Sequence, residues 1–157
     1  MRQIYCATPP SDPPLTSELL TIARSGFTAS NGCFIITYFS DIDTNVSAED
    51  FPDATGYECF LNSINIDDYV DDHYLSQGIL FVEEVFNAWR QANSKQPLVA
   101  NMVLDEIGLK VKFHMQRDGE QWLDSDLEEY EDGVMIVTSD EPRLDTHDGS
   151  AGGDARP

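Results

Sequence analysis

The sequence has no lysine or arginine between Ser25 and Trp89, although twelve Asp and Glu residues fall in that stretch. A second stretch, 118–141, holds ten acidic residues and again no basic one. The whole chain of 157 residues carries a formal net charge of −20. Phosphate groups would be repelled by this charge, which argues against direct binding of nucleic acid or of an anionic membrane surface. A basic protein is the partner that such a field would attract.

Cysteine is scarce, and Cys6, Cys33 and Cys59 form no C-x-x-C pair. Each lies in or beside an apolar run, so we expect buried free thiols in a reducing cytoplasm. The N-terminal segment has four prolines and no long apolar core, which predicts that it is not a signal peptide. No run approaches the ~20 apolar residues of a membrane-spanning helix.

Catalytic and metal-binding motifs are also missing. There is no G-x-S-x-G, P-loop or dinucleotide-binding glycine pattern, and the three histidines share no metal-ligand spacing. The segment 67–73 contains the D-D-x-x-D pattern of magnesium-binding isoprenoid synthases, but those enzymes are much larger and all-helical. The segment 124–129 begins like a calcium loop, but Glu129 stands where that loop needs glycine. We therefore predict no enzyme activity, no cofactor and no metal.

Apolar spacing predicts an α+β fold in a single domain over residues 1–139, with a disordered tail over 140–157. The dominant amphipathic helix covers 76–93, because Leu75, Ile79, Val82, Phe86 and Trp89 form one stripe. A short helix covers 16–23 with Thr16 as its N-cap, and the sheet is mixed or mainly antiparallel. Strands are predicted at 4–7, 33–39, 57–66, 98–104, 109–115 and 134–138, a turn at 117–119 leading into 121–123, a surface loop at 40–55, and an acidic helix or loop at 124–132.

The strand 109–115 alternates between apolar and polar side chains. Leu109, Val111, Phe113 and Met115 point one way, while Lys110, Lys112 and His114 point the other. We expect the second face to be wet and mildly basic. The compensating positive charge would then lie on this hairpin, apart from the acidic segments.

Three acidic groups are the candidate partner-binding residues, with two tyrosines as aromatic anchors. The first group, in the loop 40–55, is Asp41, Asp43, Glu49, Asp50 and Asp53. The second is Asp67, Asp68, Tyr69, Asp71 and Asp72. The third is Asp124, Asp126, Glu128, Glu129 and Tyr130. Whether the three groups share one face is left open.

In size, charge and layout across residues 1–139, the chain resembles the immunity proteins of bacterial toxin systems, including contact-dependent growth inhibition. The resemblance implies a cytoplasmic inhibitor that binds a cognate toxin, such as a nuclease with a basic cleft. Two alternatives use the same charge differently. One is a nucleic-acid mimic that inhibits a restriction or CRISPR protein, and the other is an acidic adaptor without catalytic activity. The oligomeric state is not predicted.

Overall fold

In the computed structural model, the described residues are 13–30, 32–41, 45–92, 95–120 and 133–141. Within them the chain forms the predicted α+β fold with antiparallel sheets. The α-helices are α1 (Ser17–Ala23), α2 (Ala54–Leu61) and α3 (Tyr74–Ala92). The strands are β1 (Phe27–Ser30), β2 (Cys33–Ile36), β3 (Ser63–Asn65), β4 (Leu98–Leu104), β5 (Leu109–Met115) and β6 (Gly133–Thr138). Short 3-10 turns lie at Thr37–Phe39, Ala48–Asp50 and Ile66–Asp68.

The main sheet has four antiparallel strands in the order β3-β5-β4-β6. The predicted strands 98–104 and 109–115 are confirmed, and they pair from Leu98 opposite Met115 to Leu104 opposite Leu109. The strand predicted at 134–138 is confirmed within one residue as β6. The local sequence predicts this part of the fold because these strands are rich in apolar residues and a tight turn joins β4 to β5.

Helix α3 covers one face of the sheet through the predicted apolar stripe, so the helix prediction is confirmed. The Phe86 ring lies 6.4 Å from the Phe113 ring of β5. Trp89, the last residue of the stripe, makes edge-to-face contacts with Phe27 at 5.0 Å and Phe34 at 5.3 Å. Burial of each large side chain stabilises the fold by roughly 1.5–3 kcal/mol. The stripe therefore attaches the β1–β2 hairpin to the same core as the main sheet.

The strand predicted at 57–66 is wrong, because the first half of this segment belongs to helix α2, and β3 is confined to three residues. Asp53 is the N-cap of α2, and its Oδ1 accepts a hydrogen bond from the Gly56 backbone N at 2.9 Å. The helix buries Glu58 and Cys59 and leaves Phe60 exposed. The fully buried Glu58 interrupts the apolar spacing that would have indicated a helix. The aromatic residues of the segment therefore favoured a strand prediction.

The strand predicted at 33–39 is half as long, because β2 ends at Ile36 and a 3-10 turn follows. Its partner β1 was not predicted, since three of the four β1 residues are exposed and none of those three is large. The two strands pair antiparallel with Phe27 opposite Ile36. Gly32, at a φ of +81°, lies in the turn between them, in a conformation that favours glycine.

The face of β5 predicted to be wet and basic is largely covered, so that prediction is wrong. Lys110 is exposed, but Lys112 is half-buried and His114 is buried, because helix α2 packs along this strand. Burial lowers the pKa of both Lys112 and His114, since their charged forms lose water. The hairpin therefore does not display the compensating positive charge that was expected.

Two side chains at α2 join the β1–β2 hairpin to the edge of the main sheet. Glu58 Oε2 accepts from the Phe34 N at 2.7 Å, and its Oε1 accepts from the Met115 N at 2.8 Å. One turn later, Asn62 Oδ1 accepts from the Ile36 N at 2.8 Å, while its Nδ2 donates to the Phe34 O at 2.9 Å. These side chains make hydrogen bonds that a strand between β2 and β5 would otherwise make.

Arg117 neutralises the buried Glu58 carboxylate. Its Nη1 and Nη2 donate to the two Glu58 oxygens at 3.0 and 2.7 Å, and Nη2 also donates to the Gly32 O at 3.2 Å. Burial acts to lower the pKa of Arg117, but the hydrogen bonds and charge of Glu58 outweigh burial and raise it. The guanidinium therefore stays charged and is committed to holding the two sheets together.

The N-terminal segment is fastened to the start of α3 by Gln77. Its Nε2 donates to the Pro13 and Pro14 carbonyls at 3.3 and 3.0 Å, and its Oε1 accepts from the Thr16 N at 3.2 Å. Thr16 is also the N-cap of α1, so the short helix predicted at 16–23 and its cap are both confirmed. One buried glutamine thus fixes residues 13–16 against the start of α3.

Several predictions fall outside the described residues. These are the strand at 4–7, the segment 121–123 that follows the predicted turn, the acidic segment 124–132 and most of the tail from 142 onwards. At the predicted domain boundary, Ser139 is buried, and the Glu141 carboxylate accepts a hydrogen bond from the Thr138 N at 3.1 Å. This hydrogen bond and one from the Leu98 N to the Ser139 Oγ tie residues 139–141 to β6 and β4.

Candidate protein-binding surface

The second acidic group lies at one end of the main sheet, against the β4–β5 turn. Asp67 Oδ1 accepts a hydrogen bond from the Leu109 N at 3.1 Å. Gly108 allows this approach, because a Cβ there would overlap the Asp67 side chain. Asp67, which the sequence proposed as a partner contact, therefore has a structural role. Its position brings the segment 66–73 and the turn 105–108 together.

The β4–β5 turn adds two carboxylates that the sequence prediction did not include. Asp105 Oδ1 accepts from the backbone N of Ile107 at 2.8 Å and of Gly108 at 3.0 Å. These hydrogen bonds, with that of Gly108 the stronger influence, lower the pKa of Asp105. Glu106 and Ile107 are exposed, the latter at 78%. Because Leu109, which directly follows this turn, is 42 residues from Asp67 along the chain, only the fold shows that the two segments are neighbours.

We call the combined surface the acidic end. It comprises Asp67, Asp68, Asp71, Asp72, Asp105 and Glu106. Asp68, Asp71 and Asp72 are exposed, and they directly precede the N-terminus of α3, where negative charge is favourable. Asp72 lies 3.6 Å from the imidazole of His73. In the described part of the chain, neither Asp68 nor Asp71 is paired with a lysine or arginine.

Tyr69 links the acidic end to neighbouring elements. Burial raises the pKa of its hydroxyl, and the nearby Glu18, Tyr38 and Asp68 raise it further. Tyr38 is 47% exposed, and Asp41 is exposed three residues later. The fold therefore places Tyr38 and the start of α1 in the same electrostatic neighbourhood as the second acidic group. Tyr69 itself is half-buried against the core rather than fully displayed.

The rest of the first acidic group is partly engaged in local structure. Asp50 Oδ2 accepts from the Ser47 N at 2.8 Å, which closes a 3-10 turn, and Asp53 caps α2. Glu49 accepts from the Ser47 Oγ at 3.2 Å and remains exposed. Asp43 lies outside the described residues, as does the entire third group, 124–130. Apart from Asp41, the described acids of the first two groups therefore lie in two places, the acidic end and the segment 49–53 beside α2.

Several of the basic side chains are committed to the protein's own structure. Arg24 pairs with Glu84 at 3.2 Å, and Arg90 donates to the Ser139 O at 3.0 and 2.8 Å. Arg117 is held by Glu58. No local signal in the sequence distinguishes these arginines from free surface cations. Two of these arginines are therefore paired with glutamates and the third with a backbone carbonyl, rather than with the exposed acids of the acidic end.

The described cysteines are poor nucleophiles. Cys33 and Cys59 are buried free thiols, as predicted, while Cys6 lies outside the described residues. Burial raises the pKa of Cys33, and it raises that of Cys59 to about 12. Both remain protonated at neutral pH, whereas thiol chemistry requires the thiolate. The buried carboxylate, guanidinium and thiols around α2 therefore serve packing and hydrogen bonding.

The described ranges contain no group of three or more His, Cys, Asp or Glu side chains arranged to hold a metal ion. None of their helices is long and apolar enough to cross a bilayer. The aspartates of 67–72 are instead used singly, Asp67 as a hydrogen-bond acceptor and the others at the surface.

Comparison with known proteins identifies relatives by sequence. No solved structure matches the chain. A Pasteurella multocida (strain Pm70) protein, described as "Uncharacterized protein PM0498", is 33% identical over 117 residues, which cover 68% of this chain and 72% of that protein. The model of the uncharacterized protein PM0498 family matches residues 1–149. This chain therefore belongs to the PM0498 family.

Proposed function

We propose that this protein is an immunity protein, which binds and neutralises a basic toxin domain in the cytoplasm through its acidic end. The observation that carries the proposal is the convergence of exposed carboxylates from two distant segments. Asp68, Asp71 and Glu106 face solvent without a described basic partner. A nuclease cleft gathers lysine and arginine to bind phosphates, so it is complementary to such a surface.

The rigid support of this surface favours a specific partner over simple solubility. Asp67 and Asp105 both accept backbone hydrogen bonds, which fix the two segments that carry the exposed carboxylates relative to each other. A preorganised surface loses less entropy on binding than a mobile acidic segment does. The acids also gather around one end of the sheet, which suits the mouth of a cleft better than an extended duplex-like groove.

The proposal is tested by co-expression with the products of the adjacent genes, followed by capture at low salt and at ~0.5 M salt. We expect a basic protein to be captured at low salt and released at high salt. If that protein has nuclease activity, stoichiometric addition of this protein is expected to abolish it. Absence of any basic partner, or capture that salt does not weaken, would contradict the proposal. Capture of a restriction or CRISPR protein would favour the mimic instead.

A pair of matched variants locates the contact. Asp68→Asn with Glu106→Gln removes two charges at the acidic end, whereas Asp118→Asn with Asp140→Asn removes two at the opposite end of the sheet. At low salt the first variant is expected to slow association by at least about fivefold, while the second changes it by less than about twofold. Equal effects would mean that only the net charge matters, not this surface.

A further inference from the structure

Three aromatic side chains form a cluster on the outer side of α2, away from the acidic end. The Phe51 ring lies 5.6 Å from the Tyr57 ring and 5.5 Å from the Phe60 ring, at tilts of 56° and 43°. Tyr57 and Phe60 are three residues apart and so share one helix face. We call these three residues the aromatic cluster. Phe60 is 46% exposed, and Phe51 and Tyr57 are half-buried.

The aromatic cluster is separate from the main hydrophobic core. Tyr57 also packs against the core, but Phe51 and Phe60 do not belong to it. Gly56 lies beneath Phe51, whose Cδ1 is 3.6 Å from the position that a Gly56 Cβ would take. Phe60 thus exposes a large apolar surface although the fold does not require it for core packing. Exposed aromatic groups with a polar rim are typical of binding sites.

Carboxylates form the rim of the cluster. Asp53 Oδ1 is 3.5 Å from the same Gly56 Cβ position that Phe51 contacts, so this carboxylate and the Phe51 ring are neighbours. Asp50 directly precedes Phe51 and is exposed, as is Glu49. The caps made by Asp50 and Asp53 fix both carboxylates in place. The cluster therefore combines the exposed surface of Phe60 with adjacent, ordered negative charge.

We propose that the aromatic cluster is a second docking point for the partner, and that it accepts an arginine side chain. The inference rests on the proposed function, because it assumes the same basic protein partner. A guanidinium can stack its plane on Phe60 or Phe51 while its N–H groups donate to a rim carboxylate. A lysine ammonium supplies the charge but lacks the planar stacking surface and the paired donors. Complementarity at this site thus selects for arginine over lysine.

The test uses capped tetra-arginine and tetralysine peptides as probes, titrated into the full-length protein at low salt. Binding is followed through aromatic NMR resonances of the protein. We expect tetra-arginine to shift the signals of the aromatic cluster and to bind more tightly than tetralysine. Phe60→Ala should weaken tetra-arginine binding roughly two- to fivefold while changing tetralysine binding little. Glu49→Gln should weaken binding of both peptides.

Ile107→Ala is the matched control, since it removes another exposed apolar side chain at the far end of the sheet. It should leave tetra-arginine affinity at the cluster unchanged. Equal affinity for both peptides, an unchanged affinity in Phe60→Ala, or shifts confined to the acidic end would overturn this inference while the proposed function stands. Failure of both peptides and of any basic partner to bind in a salt-sensitive way would overturn both.

Discussion

Two arginine–glutamate pairs in this protein differ mainly in their exposure to water. The Arg117 and Glu58 side chains are 15% and 0% exposed, with a closest approach of 2.7 Å. The Arg24 and Glu84 side chains are 63% and 28% exposed, at 3.2 Å. Water screens the second pair strongly, whereas the first would leave an uncompensated charge inside the protein if one partner were lost. The same residue types therefore have different consequences at the two sites.

Arg117→Ala is expected to lower the free energy of unfolding by about 3–5 kcal/mol, because Glu58 would remain buried without its cation. Arg24→Ala should lower it by less than about 1 kcal/mol, since its pair is exposed. Urea unfolding followed by circular dichroism measures both values. Similar losses in the two variants would show that the Glu58 site does not depend on its ion pair.

His114 makes stability depend on pH on the acidic side of neutrality. Burial lowers its pKa below the usual value of 6.5, so the folded state resists protonation while the unfolded state accepts it. This contribution is fully present above pH 6.5 and is lost as the pH falls through the folded-state pKa, with a slope of up to about 1.4 kcal/mol per pH unit.

His114→Gln should flatten this part of the profile relative to the wild type. The measurement is the free energy of unfolding at a series of pH values below neutrality. Carboxylates titrate in both proteins, so the difference between the two curves isolates the histidine. Parallel curves would contradict the assignment.

Element boundaries were predictable where local spacing decides them. The stripe on α3 and the alternation in β5 identified both elements from the sequence, because each buries one continuous apolar face. Helix α2 was missed because Glu58 occupies a core position, and its burial is possible only with Arg117, 59 residues away. β1 was missed because it has little apolar content of its own. The errors thus fall where distant partners, rather than local pattern, determine the structure.

The contact between the 66–68 turn and β5 depends on a residue without a side chain. Gly108→Ala would place a Cβ in overlap with Asp67, including the Asp67 Cβ, which cannot rotate away. We expect a loss of roughly 1–3 kcal/mol in unfolding free energy, typical of a steric overlap in a packed site. Glu106→Ala, an exposed change in the same turn, should stay within about 0.5 kcal/mol. If Gly108→Ala lowered the unfolding free energy as little as Glu106→Ala, the 66–68 turn and the start of β5 would not be held in contact.

At the scale of the whole molecule, the sequence predicted the excess of negative charge but not its arrangement. The 67–72 segment was identified, whereas the contribution of Asp105 and Glu106 was not, because those acids are close to lysines in sequence. The prediction of a basic surface on the hairpin was wrong, because the fold buries much of that surface. Formal charge is additive along a chain, but the potential that a partner meets depends on which charges the fold pairs or covers.

The attachment of Pro13–Thr16 to Gln77 has a practical consequence for fusion proteins. Gln77 is in the first turn of α3, next to the acidic end, whereas Ser139 is bound by Arg90 in the last turn. These two helix positions are about 20 Å apart at 1.5 Å per residue. An affinity tag or fluorescent domain joined directly before Pro13 would therefore begin beside the proposed binding surface. One joined directly after Glu141 would begin at the far side, which makes the fusion at Glu141 the better design for capture experiments.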